Sequence, residues 1–311
     1  MTKTAFLFPG QGSQMVGMAA ALSEASQAAR DVLTQIDDAL GQDLSGLMAN
    51  GPADELTLTT NAQPALFASS LAVVAAISEH SGQPLDSFGD LVAGHSLGEY
   101  SALCAAGVFD IQAGAKLLRI RGEAMQAAVP VGEGAMAALI GADIALADKI
   151  VAQAVHEGAV QIANDNAPGQ VVISGSLGGV TAAMGIAQDE GLRRVVQLPV
   201  SAPFHSQLMA PAAITMESAL SETIFAAPSL PVVCNVTAGL ETEPDKLRAH
   251  LVTQVTGRVR WRESLEKMAE EGVTRFVELG TGKVLSGLVK RTLKDVEILT
   301  IETSDDIQLH F

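Results

Sequence analysis

The chain has 311 residues, of which 48% are hydrophobic, 17% charged and 4% aromatic, and it carries a formal net charge of −16. That apolar fraction excludes a disordered chain, and the acidic balance excludes nonspecific binding to nucleic acid or to an anionic membrane, both of which need a basic surface. The length allows one large domain or two modest ones, and few aromatics beside 29 glycines favour an α/β class with helices packed closely on sheets.

In chain order, residues 4–8 read as a buried strand that breaks at Pro9-Gly10-Gln11-Gly12, followed by helical spacing over residues 18–40. The glycine loop is not a dinucleotide fingerprint: Met15 stands where a third glycine would be needed, and no phosphate-loop lysine follows. Neither a nucleotide cofactor nor a metal is expected. Helical patterns occupy residues 64–79 and 111–128, the second ending before Pro130. Between them, the apolar run Leu91-Val92-Ala93 leads into Gly94-His95-Ser96-Leu97-Gly98 and a helical segment over residues 99–103. A Gly-x-Ser-x-Gly turn between strand and helix holds its serine on a strained corner above the sheet, which makes Ser96 a candidate nucleophile.

From residue 134 the rhythm becomes strand, helix, strand, strand, helix, strand, the order of a ferredoxin-like unit. The expected organisation is therefore a hydrolase-like parallel-sheet α/β core over residues 1–129 and 200–311, with a small subdomain inserted over residues 130–199. The core resumes with strands over 232–236, 276–279 and 297–301 and helices over 244–255 and 262–271. Residues 304–311 match no pattern. Cys104 and Cys234 are the only cysteines and make no disulfide framework, which points to a reducing, cytoplasmic setting. The apolar stretch 65–77 is too short to span a bilayer, and no signal segment is read at the N-terminus.

A serine nucleophile needs a base. Of six histidines, His205 in Ser201-Ala202-Pro203-Phe204-His205-Ser206 lies where the chain returns from the small unit to the core, a crevice between domains; it reads either as the base or as a satisfied loop histidine. His95, adjacent to Ser96, supports the turn rather than acting as the base. Arg121 sits at the edge of the apolar stripe of its helix, where it either snorkels to solvent or pairs with an anion in the crevice.

The motifs Phe8-Pro9-Gly10-Gln11-Gly12-Ser13-Gln14, Gly94-His95-Ser96-Leu97-Gly98-Glu99, Arg121-Gly122, Asn166-Ala167-Pro168-Gly169-Gln170, the 201–206 segment, Gln254 and Glu278-Leu279-Gly280, taken in this order, resemble the malonyl-CoA:acyl carrier protein transacylase family. The resemblance implies transfer of a malonyl group from malonyl-CoA to the pantetheine thiol of acyl carrier protein through an ester on Ser96, with His205 as the base. It further implies an oxyanion hole from the backbone N–H groups of Gln11 and Leu97, and a main-chain carbonyl at Gln254 orienting the imidazole. Arg121 would grip the malonyl carboxylate, Phe204 would disfavour an α-branched acyl group, and Asn166 would lie near the substrate. Asn166 in Asn-Ala-Pro-Gly is otherwise a turn signal, and Gln63 is a softer candidate. Thr281 stands where the family usually has proline.

Coenzyme A and carrier proteins are both acidic, so a chain at −16 needs a local basic site. Lys283, Lys290, Arg291 and Lys294, with Lys116 and Arg119, either form such a rim or are an ordinary solvated face. The expected partners are malonyl-CoA and acyl carrier protein, with no nucleic acid and no membrane, and the expected working unit is a monomer. The alternative is a serine thioesterase or hydrolase, which would need an acidic residue and a late histidine and would not need an arginine for a carboxylate. A noncatalytic docking subunit would tolerate loss of Ser96 or His205, and this chain keeps both.

Overall fold

The computed structural model describes residues 2–200 and 202–311; Ser201, which opens the 201–206 motif, lies outside the described residues. The ten strands are β1 Lys3–Phe8, β2 Leu91–Gly94, β3 Gly134–Ile140, β4 Val160–Ala167, β5 Gln170–Ser176, β6 Arg194–Gln197, β7 Val232–Val233, β8 Leu240–Glu241, β9 Val273–Leu279 and β10 Glu297–Ile301. Six form a sheet in the order β10-β9-β1-β2-β7-β8, parallel throughout except for the β7–β8 edge pair. Its two central strands, β1 and β2, are buried almost throughout, with helices on both faces, as parallel sheets require. The other four form an antiparallel sheet in the order β4-β5-β3-β6, the strand order of a ferredoxin-like unit. The architecture is thus α/β, a parallel core sheet accompanied by a small antiparallel one.

A backbone pairing ties the small sheet to the larger unit. Val259 donates to the Ala163 carbonyl at 2.8 Å and accepts from the Asp165 N–H at 2.9 Å, so a core segment pairs with β4. The Arg262 guanidinium closes on the buried Asp165 carboxylate at 2.9 Å beside it. This fixes the small sheet over the carboxyl ends of β1, β2 and β7, the edge of a parallel sheet where ligands bind.

Several elements depart from the sequence reading. Residues 18–40 form two helices, Ala20–Ala25 and Gln27–Leu40, because Ser26 adopts an extended backbone and caps the second by accepting from the Ala29 N–H at 3.0 Å. The helix expected over 64–79 begins at Thr59 and runs to Ser81; Pro64 sits in its second turn, where one lost backbone bond is tolerated in a helix whose next four residues are all buried. That helix is apolar and long enough to cross a membrane by composition, but 83% of its most apolar window is packed inside the fold. The strand expected over 232–236 shortens to Val232–Val233, because Asn235 turns its side chain to the serine turn instead of continuing the ladder. Residues 304–311 are not patternless: Ser304–His310 is a helix opened by a capping box between Thr303 and Asp306. Helices Leu44–Asn50, Ala210–Ser221 and Val284–Thr292 went unread, the first two being short apolar faces between stronger signals.

Candidate active site

Ser96 lies between β2 and the helix Gly98–Ala105 with φ +54°, and it is joined in that left-handed region by His205 at φ +56°. Non-glycine residues reach this region at a cost of about 1–2 kcal/mol, so something must hold each of them there. For Ser96 the flanking glycines are a necessity: a Cβ on Gly94 would overlap the Gly98 carbonyl, and one on Gly98 would overlap the carbonyls of Phe8 and Pro9. The active clamp is Asn235. Its Oδ1 accepts from the Ser96 N–H at 2.7 Å and its Nδ2 donates to the Gly94 carbonyl at 2.7 Å, bridging the turn as a further residue of β7 would have done. For His205 the clamp comes from the small sheet: Gln161 on β4 donates to the His205 carbonyl at 3.1 Å and to that of Thr256 at 3.1 Å.

The two strained residues meet. Ser96 Oγ is 2.8 Å from His205 Nε2, and His205 Nδ1 is 2.9 Å from the Gln254 main-chain carbonyl. A carbonyl can only accept, so Nδ1 carries the proton and Nε2 presents its lone pair to the serine hydroxyl. Burial, and secondarily the Arg121 charge, lower the His205 pKa to about 3. The imidazole is therefore neutral at any ordinary pH and ready to accept a proton. Among the described residues the Nδ1 partner is that carbonyl and not a carboxylate, which leaves the hydrolase order of serine, acid and histidine without its acid.

Arg121 does not snorkel. It is 2% exposed, and its Nη1 donates to Gln63 Oε1 at 2.7 Å while Nη2 donates to Gln254 Oε1 at 3.0 Å and to Ser96 Oγ at 3.2 Å. Tyr100 stacks its ring 5.7 Å from the guanidinium. Among the described residues no carboxylate forms an ion pair with Arg121, so a buried positive charge faces the reacting hydroxyl without an anionic partner in contact with it. Glu99, 1% exposed, lies behind the serine turn and accepts from Gln254 Nε2 at 2.6 Å and the Asn235 N–H at 3.3 Å; burial raises its pKa to about 7.

Ser96, Arg121 and His205 line a cavity of about 360 Å³ together with Gln11, Asn166 and Phe204. Phe204 is 8% exposed and contributes to the wall. Asn166 lies within β4 rather than in a free turn, and its Oδ1 accepts from His95 Nε2 at 2.8 Å, which holds the His95 ring in the cavity wall against Trp261 and occupies that nitrogen. Gln11 opens toward the cavity, held by Thr59 Oγ1 at 3.2 Å, while the Leu97 N–H stands at the start of the helix after Ser96; among the described residues neither backbone N–H has a protein acceptor. The dipole of that helix adds positive potential at the same spot. Thr281, in place of proline, has its hydroxyl 2.9 Å from that of Ser69, which ties down the loop by a hydrogen bond instead of a ring.

The basic residues divide. Lys283, Lys290 and Lys294 border an open groove of about 740 Å³ floored by Leu293, Val296 and Ile298, and Gly282 places the start of this segment against Ser13 in the first loop. Arg119 is not part of such a rim, because its guanidinium is spent on Gln42 and Asn61, and Lys116 does not line the groove. Asn235 and Gln161 escaped the sequence reading, and Glu99 entered it only as the last residue of the 94–99 motif, with no role of its own. Asn235 alone carried a signal, a polar residue at the carboxyl end of a buried parallel strand.

A serine on a strand-to-helix turn, a neutral histidine in contact with it and a buried guanidinium beside both define a serine-dependent acyltransferase. The acyl transferase domain profile matches residues 5–305. The malonyl CoA-acyl carrier protein transacylase of Bacillus subtilis is 44% identical over 310 residues, 99% of this chain and 96% of that one. Among solved structures, an acyl-carrier-protein-S-malonyltransferase from Bartonella henselae superposes with a TM-score of 0.97 at 52% identity, covering 99% of this chain and 98% of that one. A malonyl-transacylase in complex with its type II PKS acyl-carrier protein gives a TM-score of 0.95 at 38% identity, covering 99% of both chains. The chain belongs to the malonyl CoA-acyl carrier protein transacylase family.

Proposed function

We propose that this enzyme moves a malonyl group from malonyl-CoA to the pantetheine thiol of acyl carrier protein, in fatty acid synthesis, by two successive transfers through Ser96. In the first, His205 Nε2 takes the Ser96 hydroxyl proton as Oγ attacks the thioester carbon. The N–H groups of Gln11 and Leu97 receive the oxyanion, the C–S bond breaks, and the Nε2 proton passes to the departing thiolate. In the second, the carrier's thiol gives its proton to Nε2, sulfur attacks the ester, the C–O bond breaks, and the proton returns to Oγ. The Gln254 carbonyl stabilises the imidazolium that exists between these events. The single observation that carries the malonyl assignment is the buried Arg121 guanidinium, which has no protein carboxylate in contact and stands 3.2 Å from the nucleophile. A free carboxylate on the acyl group would complete it, and Phe204 would narrow the space beside it. Initial rates over both substrates are expected to give parallel double-reciprocal lines; intersecting lines would require both substrates to be bound together and would exclude the ester route.

Lys283, Lys290, Arg291 and Lys294 supply the carrier protein's docking surface in this reading, a basic rim on an acidic enzyme working as a monomer in the cytoplasm. Reversing Lys290 and Arg291 to glutamate is expected to raise KM for the carrier protein about tenfold and leave that for malonyl-CoA within about twofold. An unchanged carrier KM would put the docking surface elsewhere.

A further inference from the structure

The Gln254 amide stands between two groups of opposite hydrogen-bonding character. On one side is Glu99, whose Oε2 receives both the amide Nε2 at 2.6 Å and the Asn235 N–H at 3.3 Å, so that this oxygen accepts whatever the protonation of the other. On the other side is Arg121, which can only donate and does so to Gln254 Oε1 at 3.0 Å. A flipped amide would set N–H against guanidinium and oxygen against carboxylate, two repulsive contacts among side chains that are all buried. Gln254 Nε2 also donates to the Ser96 carbonyl at 2.9 Å, and its main-chain carbonyl carries His205. One residue thus ties nucleophile, base and guanidinium together, and Glu99 sets which way its side chain faces.

We propose that Glu99, which touches neither reacting side chain, is a positioning residue: by fixing the Gln254 amide it aims Arg121 at the acyl group and so sets the preference for acyl groups bearing a free carboxylate. This rests on the reading of Arg121 given above. The structure assigns Glu99 no contact with the cavity, and it is absent from the cavity lining.

The experiment compares kcat/KM for malonyl-CoA and acetyl-CoA in acylation of Ser96, followed by intact mass. Taking the ratio of the two cancels general damage to the serine turn. Glu99→Leu is expected to lower the malonyl-over-acetyl ratio at least about tenfold, mostly through KM for malonyl-CoA. Glu99→Gln, which can still accept from Gln254 Nε2 and Asn235, keeps the ratio within about threefold. If the leucine variant does not fold, Gln254→Met, which leaves the main-chain carbonyl on His205 and removes only the amide, is expected to show the same fall in ratio. An unchanged ratio in the leucine variant, or in Gln254→Met where leucine does not fold, overturns the proposal, as does a glutamine variant that falls as far as leucine. Acylation of the wild-type chain by malonyl-CoA is scored in the same assay, so failure of the reaction itself is distinguishable from failure of the Glu99 role.

Discussion

Replacing His205 with alanine is expected to slow acylation of Ser96 by about 10³-fold while leaving the fold intact. The residue is 3% exposed, so its removal opens a small cavity, but that cavity adjoins the active-site space already present. The same imidazole predicts an unusual pH profile. An ordinary histidine base with a pKa near 6.5 would be about thirtyfold less available at pH 5 than at pH 8. Burial and the Arg121 charge lower this one to about 3, so its neutral form persists to much lower pH. With an uncharged activated ester as acyl donor, the wild-type acylation rate is expected to stay level within about twofold from pH 8 to pH 5. A decline centred near pH 6.5 would mean that the base is solvated or is a different histidine.

Arg121→Met is the second large effect. Methionine keeps most of the volume and removes the charge, so kcat/KM for malonyl-CoA is expected to fall about 10²- to 10³-fold, the size of losing a buried, charge-assisted pair with a carboxylate. Acetyl-CoA, with no carboxylate to lose, is expected to react as well as before or better. Stability points the opposite way from activity: a buried guanidinium with no carboxylate in contact costs free energy in the substrate-free enzyme, so the variant is expected to melt no lower than wild type. Equal losses with both thioesters would show that Arg121 orients Ser96 and does not read the acyl group.

The residues that the structure brings together at the cavity stood out in the sequence because each interrupts a pattern, although the pattern alone left His205 open as a satisfied loop histidine and Arg121 as a snorkelling side chain. Ser96 breaks a buried strand between glycines, His205 follows a proline-marked return from the small sheet, and Arg121 places a charge beside an apolar stripe. The alternation of strands and helices and the β-α-β-β-α-β unit were readable for the same reason, since both are periodicities. What escaped has no local mark. Asn235 reads as one more strand residue until its side chain is seen to hold the serine turn, and Glu99 reads as an ordinary first-turn acid of a helix, where negative charge is common. Gln161 looks like an outward polar position of β4 and acquires its task only when the two sheets meet. Chain breaks set by single caps, such as Ser26, were lost inside a longer helical period. Arg119 looked equivalent to its lysine neighbours and differs only because Gln42 and Asn61 happen to face it.

The most direct test of the central claim is the intact mass of the purified enzyme after brief exposure to malonyl-CoA without carrier protein, beside Ser96→Ala. A single malonyl adduct on the wild type, absent from the alanine variant and discharged on adding pantetheinylated carrier protein, is the result predicted. Free malonate in solution with no adduct on the enzyme and no malonylated carrier would contradict it, and would make water the acceptor of the acyl group.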